Sequence, residues 1–196
     1  VSNIEELKAW VVLNKGINKF MLSEYLPGRN FAQCILYHEG EMLAHACYER
    51  LSYFMGHLVP SGISGNIDRG KLIFDQSVLT NADSALKLVA DFLGEKLHGI
   101  FTVDLKGNED EKPLITEVNL RHTAATSLFA AGGVNMVEAQ IYATLNMKSS
   151  IKKNILVFND DNLLLRDIDG IPRWISTGSC EINYGEEYPS LHTKPA

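Results

Sequence analysis

The spacing of apolar and polar positions changes period several times along the chain, and each change marks an element. Asn3 caps a short helix that runs to about residue 14, with Glu5 and Glu6 favourable in its first turn. Residues 19–26 read as a strand stopped by Pro27-Gly28. Residues 31–37 and 41–51 read as two more, joined by the turn His38-Glu39-Gly40. Residues 52–77 hold Gly56, Pro60, Gly62, Gly65 and Gly70, which predicts a long loop with a strand near 71–74. Thr80 is expected to cap a helix with Asp83 three residues on. Ala85, Val89, Phe92 and Lys96 share one face of it, with Leu86, Leu93 and Leu97 beside them. Residues 99–106 and 113–120 form a hairpin across the acidic turn 107–111. Residues 123–131 predict a helix ended by Gly132-Gly133. Asn135 caps the next helix, with Glu138 at the third position and Val137, Ile141 and Leu145 on its buried face. The expected fold is α+β: a mostly antiparallel sheet with helices packed on one face, and a strand-rich extension after about residue 150.

Composition narrows the function classes. The chain has 196 residues, 45% hydrophobic and 21% charged, with a net charge of −6 and no Lys/Arg cluster. That argues against sequence-independent binding of nucleic acid, which needs basic patches to displace counterions. No apolar run approaches the ~18 residues that suggest a membrane helix, and no signal-peptide pattern opens the chain, so a cytoplasmic protein is expected. The chain begins at Val1 rather than Met, which suggests a piece of a longer protein. Cys34, Cys47 and Cys180 are odd in number and widely spaced, and Cys34 and Cys47 sit in apolar runs; reduced thiols are expected.

The hairpin carries the chemistry. Side chains alternate along a strand, so Glu117, Asn119 and Arg121 project from one face, while Leu114, Thr116, Val118 and Leu120 take the other and can pack on a core. On the first strand Phe101, Val103 and Leu105 are the apolar face, leaving Thr102 and Asp104 opposite. If the turn closes symmetrically, Val103 faces Val118 and Asp104 lies beside Glu117. Two carboxylates and an amide on one face suit Mg²⁺, which wants hard oxygen ligands and usually takes one or two carboxylates plus substrate phosphates. Arg121 would pair with phosphate oxygens. A solvated polar strand face, with cross-strand carboxylates that merely repel, is the competing reading of the same residues.

The run Gly99-Ile-Phe-Thr-Val-Asp104, followed by Leu114-Ile-Thr-Glu117-Val-Asn119-Leu-Arg121, resembles the metal-binding hairpin of the ATP-grasp superfamily. It is most similar to the branch of the carbamoyl-phosphate synthetase large chain and the carboxylate–amine ligases. Phe20-Met-Leu-Ser-Glu24-Tyr25-Leu26-Pro-Gly28 resembles that superfamily's adenine hinge, and Ala130-Ala-Gly-Gly-Val-Asn135 the segment after its metal strand. The resemblance covers roughly residues 1–147. It implies ATP and Mg²⁺ (or Mn²⁺) as cofactors. Tyr25 and Leu26 would bind the adenine edge, Glu24 its amino group and Asn30 the ribose. Asp104, Glu117 and Asn119 would hold metal, and Arg121 would contact the transferring phosphate. Arg50, at the end of a strand that would run beside the nucleotide site, would bind the acceptor carboxylate or a phosphate; a solvated strand-end arginine is the competing reading. The partners implied are small-molecule carboxylate and amine substrates.

Three positions depart from the pattern: Asn30 stands where the family often has Glu, Leu120 where it often has Pro, and His122-Thr123-Ala124-Ala125 where a Gly-rich stretch is usual. The resemblance divides the chain into a remnant of the small subdomain (1–18), a C-terminal subdomain with hinge and metal hairpin (19–148) and an extension (149–196). The N-terminal half of the clamp, with its lysines and Gly-rich lid, is expected to be missing, so this chain alone is expected to be inactive. Two functions stand from the sequence: part of an ATP-dependent ligase that forms a carbon–nitrogen bond, or a non-catalytic relative that binds nucleotide or a partner protein.

Overall fold

Residues 31–37 are apolar at every position except Gln33, a pattern a strand adopts when both of its faces are covered. The computed structural model, which describes residues 1–59, 62–151, 158, 162–167 and 173–176, has that arrangement. Strand β1 (Asn30–His38) is central. It pairs with β2 (Glu41–Tyr53) on one edge and with β4 (Gly99–Gly107) on the other. Outside β4 lies β5 (Pro113–Asn119), and outside β2 lies β3 (Ile67–Ile73). Two short strands, β6 (Asn162–Leu165) and β7 (Arg173–Ser176), continue the same sheet beyond β3. The order is β5-β4-β1-β2-β3-β6-β7, and every neighbouring pair is antiparallel.

Four helices accompany the sheet: α1 (Ile4–Leu13), α2 (Gln76–Leu93), α3 (Thr126–Ala131) and α4 (Met136–Thr144). Helices cover both faces, not the one face expected from the sequence. Helix α2 packs on Phe31, Ile35, Tyr37, Cys47, Val103 and Leu105. Helices α3 and α4 pack on Ala32, Cys34, Leu36, Ala46, Tyr48 and Leu72. The continuous apolar run of β1 is the cause, because its odd and even positions each need a cover. Cys34 and Cys47 are buried free thiols on opposite faces, and burial pushes the Cys34 thiol up to about 12. Cys180 lies outside the described residues.

Several boundaries move. Residues 19–26 form no strand, and Met21, Leu22 and Tyr25 are exposed. Strand β3 starts at Ile67, earlier than expected. Helix α3 starts at Thr126 rather than 123. Helix α2 starts before Thr80. Asp75 is its cap, and the Asp75 carboxylate accepts from the backbone N–H of Ser77 and Val78. Asp83 is therefore not a capping-box residue. It accepts from the Tyr37 hydroxyl at 2.6 Å and pairs with Lys87 one turn on. Gly94 ends α2 in the left-handed region, φ 68°, where glycine meets no Cβ penalty.

The buried faces of two helices are rotated from those the spacing suggests. Helix α2 buries Val78, Leu79, Ala82, Leu86 and Ala90, and leaves Leu88, Val89, Phe92 and Leu93 in solvent. Helix α4, capped by Asn135 as expected, buries Met136, Ala139 and Ala143 and exposes Val137, Ile141 and Leu145. Small alanines let each helix approach the sheet closely, and that approach selects the face over side-chain size. Similarly, Leu114, Thr116, Val118 and Leu120 do not pack on a core. Strand β5 is the edge of the sheet, and a bulge between Asp104 and Leu105 leaves Thr116 without a partner, which breaks the alternation.

The two α2 faces separate in a stability measurement. Leu86 is 4% exposed and Phe92 88%. Urea denaturation is expected to show Leu86→Ala losing about 2–5 kcal/mol and Phe92→Ser changing by no more than about 0.5 kcal/mol. Equal losses would mean that α2 packs through the other stripe.

Candidate functional site

The sheet register sets out three rows of side chains on the face that α3 and α4 cover. The first runs Asn119, Thr102, Cys34, Ala46 across β5, β4, β1 and β2. The second runs Glu117, Asp104, Ala32, Tyr48 and on to Leu72 of β3. The third runs Lys106, Asn30, Arg50, Gly70. Apolar residues fill the first two rows where the helices lie over them. The polar residues emerge at the β5 edge and in the third row. Asp104 faces Glu117, and Val103 faces Val118, as the hairpin reading expected. Directly opposed residues bring their Cβ atoms to about 4.5–5.5 Å.

Arg50 crosses from the third row to the second and pairs with Asp104 at 2.8 Å, with both side chains mostly withdrawn from water (15% and 16% exposed). A second guanidinium nitrogen of Arg50 donates to the Asn30 amide oxygen at 2.9 Å, and the guanidinium lies 5.5 Å from the Tyr48 ring centroid. The Asn30 amide nitrogen donates to the Tyr53 hydroxyl at 2.7 Å. Tyr48 in turn shares a hydrogen bond with Thr123 at 3.2 Å. Burial holds the Asp104 carboxyl above the ordinary aspartate range; Arg50 pulls against that, and the neighbouring Glu117 charge adds to it. Glu117 itself is exposed.

Arg121 follows β5. Its backbone carbonyl accepts from the Thr102 hydroxyl at 2.8 Å, while its exposed side chain donates to the His122 carbonyl at 3.2 Å. His122 Nε2 lies 2.7 Å from the Gln140 amide oxygen, and its Nδ1 is buried without a partner among the described residues.

On the opposite face a second charged group holds the end of the hinge segment. Arg29 donates to Glu49 through two nitrogens, at 2.9 and 2.6 Å, and Lys71 lies 3.5 Å from the same carboxylate. The Arg29 hydrogen bond is the main reason the Glu49 carboxyl sits below the usual glutamate range. The backbone beside it is tied to the hairpin: Gly28 N–H donates to the Gly107 carbonyl at 2.9 Å and Gly107 N–H to the Arg29 carbonyl at 2.8 Å. A Cβ at Gly28 would come within 2.8 Å of the Gly107 carbonyl oxygen, so only glycine permits this approach.

Between hinge and sheet lies a cleft of about 490 Å³. Tyr25, Pro27, Gly28, Arg29, Asn30, Arg50, Tyr53 and Lys106 are in its wall, with Ser52, His57 and Ile63 toward the 54–63 loop. Of the residues singled out from the sequence, Tyr25, Asn30 and Arg50 meet at this cleft. Asp104 is joined to it through Arg50. Glu117 and Asn119 line up along the edge strand, and Arg121 lies beyond them. Glu24 is exposed and Leu26 half-buried; neither borders the cleft. Asn30 is engaged on both sides of its amide, by Arg50 and Tyr53. Arg29, Tyr53 and Lys106 were not legible as site residues. Arg29 and Lys106 look like ordinary charged strand ends; Arg29 adjoins the 20–28 segment in sequence, and the pairing of β4 with β1 brings Lys106 to it. Among the described residues no group of three or more His, Cys, Asp or Glu could hold a metal ion. No described helix is long and apolar enough to cross a membrane.

This sheet, with its hairpin and helices on both faces, shares its fold with part of solved ATP-grasp proteins. Pyruvate carboxylase from Rhizobium etli is similar at 16% identity and a TM-score of 0.59, over 85% of this chain and 16% of that one. L-amino acid ligase from Bacillus licheniformis is similar at 13% identity and 0.55, over 84% and 40%. Phosphoribosylglycinamide synthetase from Anaerococcus prevotii follows at 13% and 0.50, over 82% and 48%. At such identities the likeness is one of fold, and the chain spans less than half the length of each. No family model matches the sequence, and no curated protein matches it either.

The Arg50–Asp104 pair yields a prediction with a definite sign. A carboxyl whose value in the folded state is raised contributes stability that is complete below its unfolded value of about 3.9, and that is lost as pH rises through the folded value. In Arg50→Met the counter-charge is gone, so the Asp104 midpoint, followed by carboxyl-carbon NMR, is expected to move further up. At pH 7 the variant should lose about 3–5 kcal/mol, the cost of an uncompensated buried charge. Adding Asp104→Asn should restore much of it. An unmoved midpoint would show that the pair is not formed in solution.

Proposed function

We propose that this chain forms the hinge and metal side of an ATP- and Mg²⁺-dependent ligase site that activates a carboxylate as an acyl phosphate. The observation that carries the reading is the register that sets Asp104 against Glu117, with Asp104 paired to Arg50, which walls a cleft together with Tyr25. Like charges directly opposed across a ladder are unfavourable. Arg50 offsets only Asp104. The donor set suits Mg²⁺: two carboxylates, Asp104 and Glu117, with the Asn119 amide one row on, leave the rest of an octahedron to waters and phosphate oxygens. Bound there, the ion would neutralise phosphate charge.

In the proposed reaction the γ-phosphoryl group of ATP passes to a carboxylate oxygen and ADP leaves. An amine then attacks the acyl carbon, the carbon–nitrogen bond forms, and phosphate and a proton are released. Tyr25 and the hinge backbone beside it position the base. Arg121, whose side chain is exposed and has no carboxylate partner among the described residues, is placed to meet the transferring group. Arg50 holds Asp104 ionised and is available to an oxyanion when a metal ion takes over its charge balance. A substrate panel of carboxylates and amines, assayed with the full-length protein, identifies the acceptor.

Two expected outcomes test the reading. Water-proton relaxation should detect Mn²⁺ bound in the presence of ADP, and Asp104→Asn and Glu117→Gln should each weaken it at least tenfold, with the fold intact by circular dichroism. Undiminished Mn²⁺ binding in both variants sinks the metal assignment. By calorimetry residues 1–196 alone should bind ATP·Mg²⁺ more weakly than micromolar and release no phosphate with any carboxylate. The motive is that Tyr25 is 81% exposed and the nucleotide is held from one side. Each charge-assisted contact not made costs about 1.5–3 kcal/mol. Micromolar affinity with turnover by this chain would overturn that outcome.

A further inference from the structure

The charge lining the cleft is opposite to that of the protein. Three of the residues walling it, Arg29, Arg50 and Lys106, are cationic and none is a carboxylate, in a chain of net charge −6. The three cations are not equivalent. Arg29 is bound to Glu49 on the far face and Arg50 to Asp104. Lys106 has no carboxylate partner among the described residues. Its ammonium stands 5.3 Å from the ring centroid of Tyr25, in a half-buried position beside Asn30 in the third row. A lysine held over an aromatic face gains about 0.5–2 kcal/mol. An ionised oxygen acceptor gains it more, through a charge-assisted bond.

From this we infer that Lys106 is the residue with which the cleft captures an oxyanion of its ligand, leaving the Tyr25 ring to make the bond. The sequence reading gave Lys106 no role. The inference follows from the unmatched ammonium and from the exclusion of carboxylates from the wall. It deepens the proposed function, and rests on that reading only for a nucleotide as one source of the oxyanion. Phosphate and carboxylate groups share the required chemistry, a compact anion that accepts from a point-charge donor. The neighbouring Asn30 amide, bonded to Arg50 and Tyr53, is neutral and brings no charge to such an anion. When the ammonium moves to the ligand, the Tyr25 ring loses its cation and its face is freed for stacking.

The experiment titrates the whole chain with ADP, pyrophosphate, succinate and adenosine by calorimetry, in the wild type, Lys106→Met and Lys106→Arg. Lys106→Met should weaken at least one anionic probe by about tenfold or more, the worth of a charge-assisted bond. Lys106→Arg should keep most of the affinity. Adenosine, which carries no anion, should bind all three proteins alike. Weakening of ADP and pyrophosphate identifies a phosphate as the source, and weakening of succinate a carboxylate. The inference is overturned if every anion that binds the wild type binds Lys106→Met equally well. It is also overturned if adenosine is weakened as much as ADP, because Lys106 would then serve only to pack Tyr25. A wild type that binds succinate or pyrophosphate through Lys106 but neither ADP nor adenosine would refute the nucleotide reading and leave Lys106 standing. If it binds no probe, both fail.

Discussion

Asp104 and Arg50 lie on strands separated by β1, both mostly removed from water, and each charge is held there by the other. Removing either charge would leave its partner buried without compensation, at about 3–5 kcal/mol. The rest of the polar end of the sheet is organised around this pair. Arg50 fixes Asn30, Asn30 fixes Tyr53, and the guanidinium lies over Tyr48, which reaches Thr123 at the entry to α3. One ion pair thereby connects the hairpin, the central strand, the cleft wall and the segment after Arg121.

The hairpin was the legible part of the site, and the reason is physical. Alternation along a strand has period two, which puts Asp104 and Glu117 on the polar faces of their strands; the register beside the turn, Leu105 with Ile115, would set Asp104 against Thr116, and the bulge at Thr116 brings Glu117 opposite instead. The Arg50–Asp104 contact was not legible in that way. It joins residues 54 positions apart, on strands that are not neighbours, and depends on the long-range pairing of both with β1. Lys106 was missed for the same reason.

Helical faces were misread where alanine decides packing. In α4 the sequence places Val137, Ile141 and Leu145 at helical spacing, yet Ala139 and Ala143 face the sheet. A spacing rule weights bulk, whereas a helix lying close over a crowded strand selects small side chains. Residues 19–26 are a different case: their composition suits a strand, yet they join no ladder among the described residues, and Met21, Leu22 and Tyr25 stay in solvent.

The seam between Gly28 and Gly107 has a mechanical consequence. Two backbone hydrogen bonds join the hinge end to the hairpin end, and the Glu111 carboxylate of the turn accepts a further one from the Arg29 N–H at 3.3 Å. Next to that turn the α2 residue Asn81 donates its amide to the Pro113 carbonyl at 2.8 Å, so the hinge end, the hairpin tip and the long helix are tied together at one corner of the molecule.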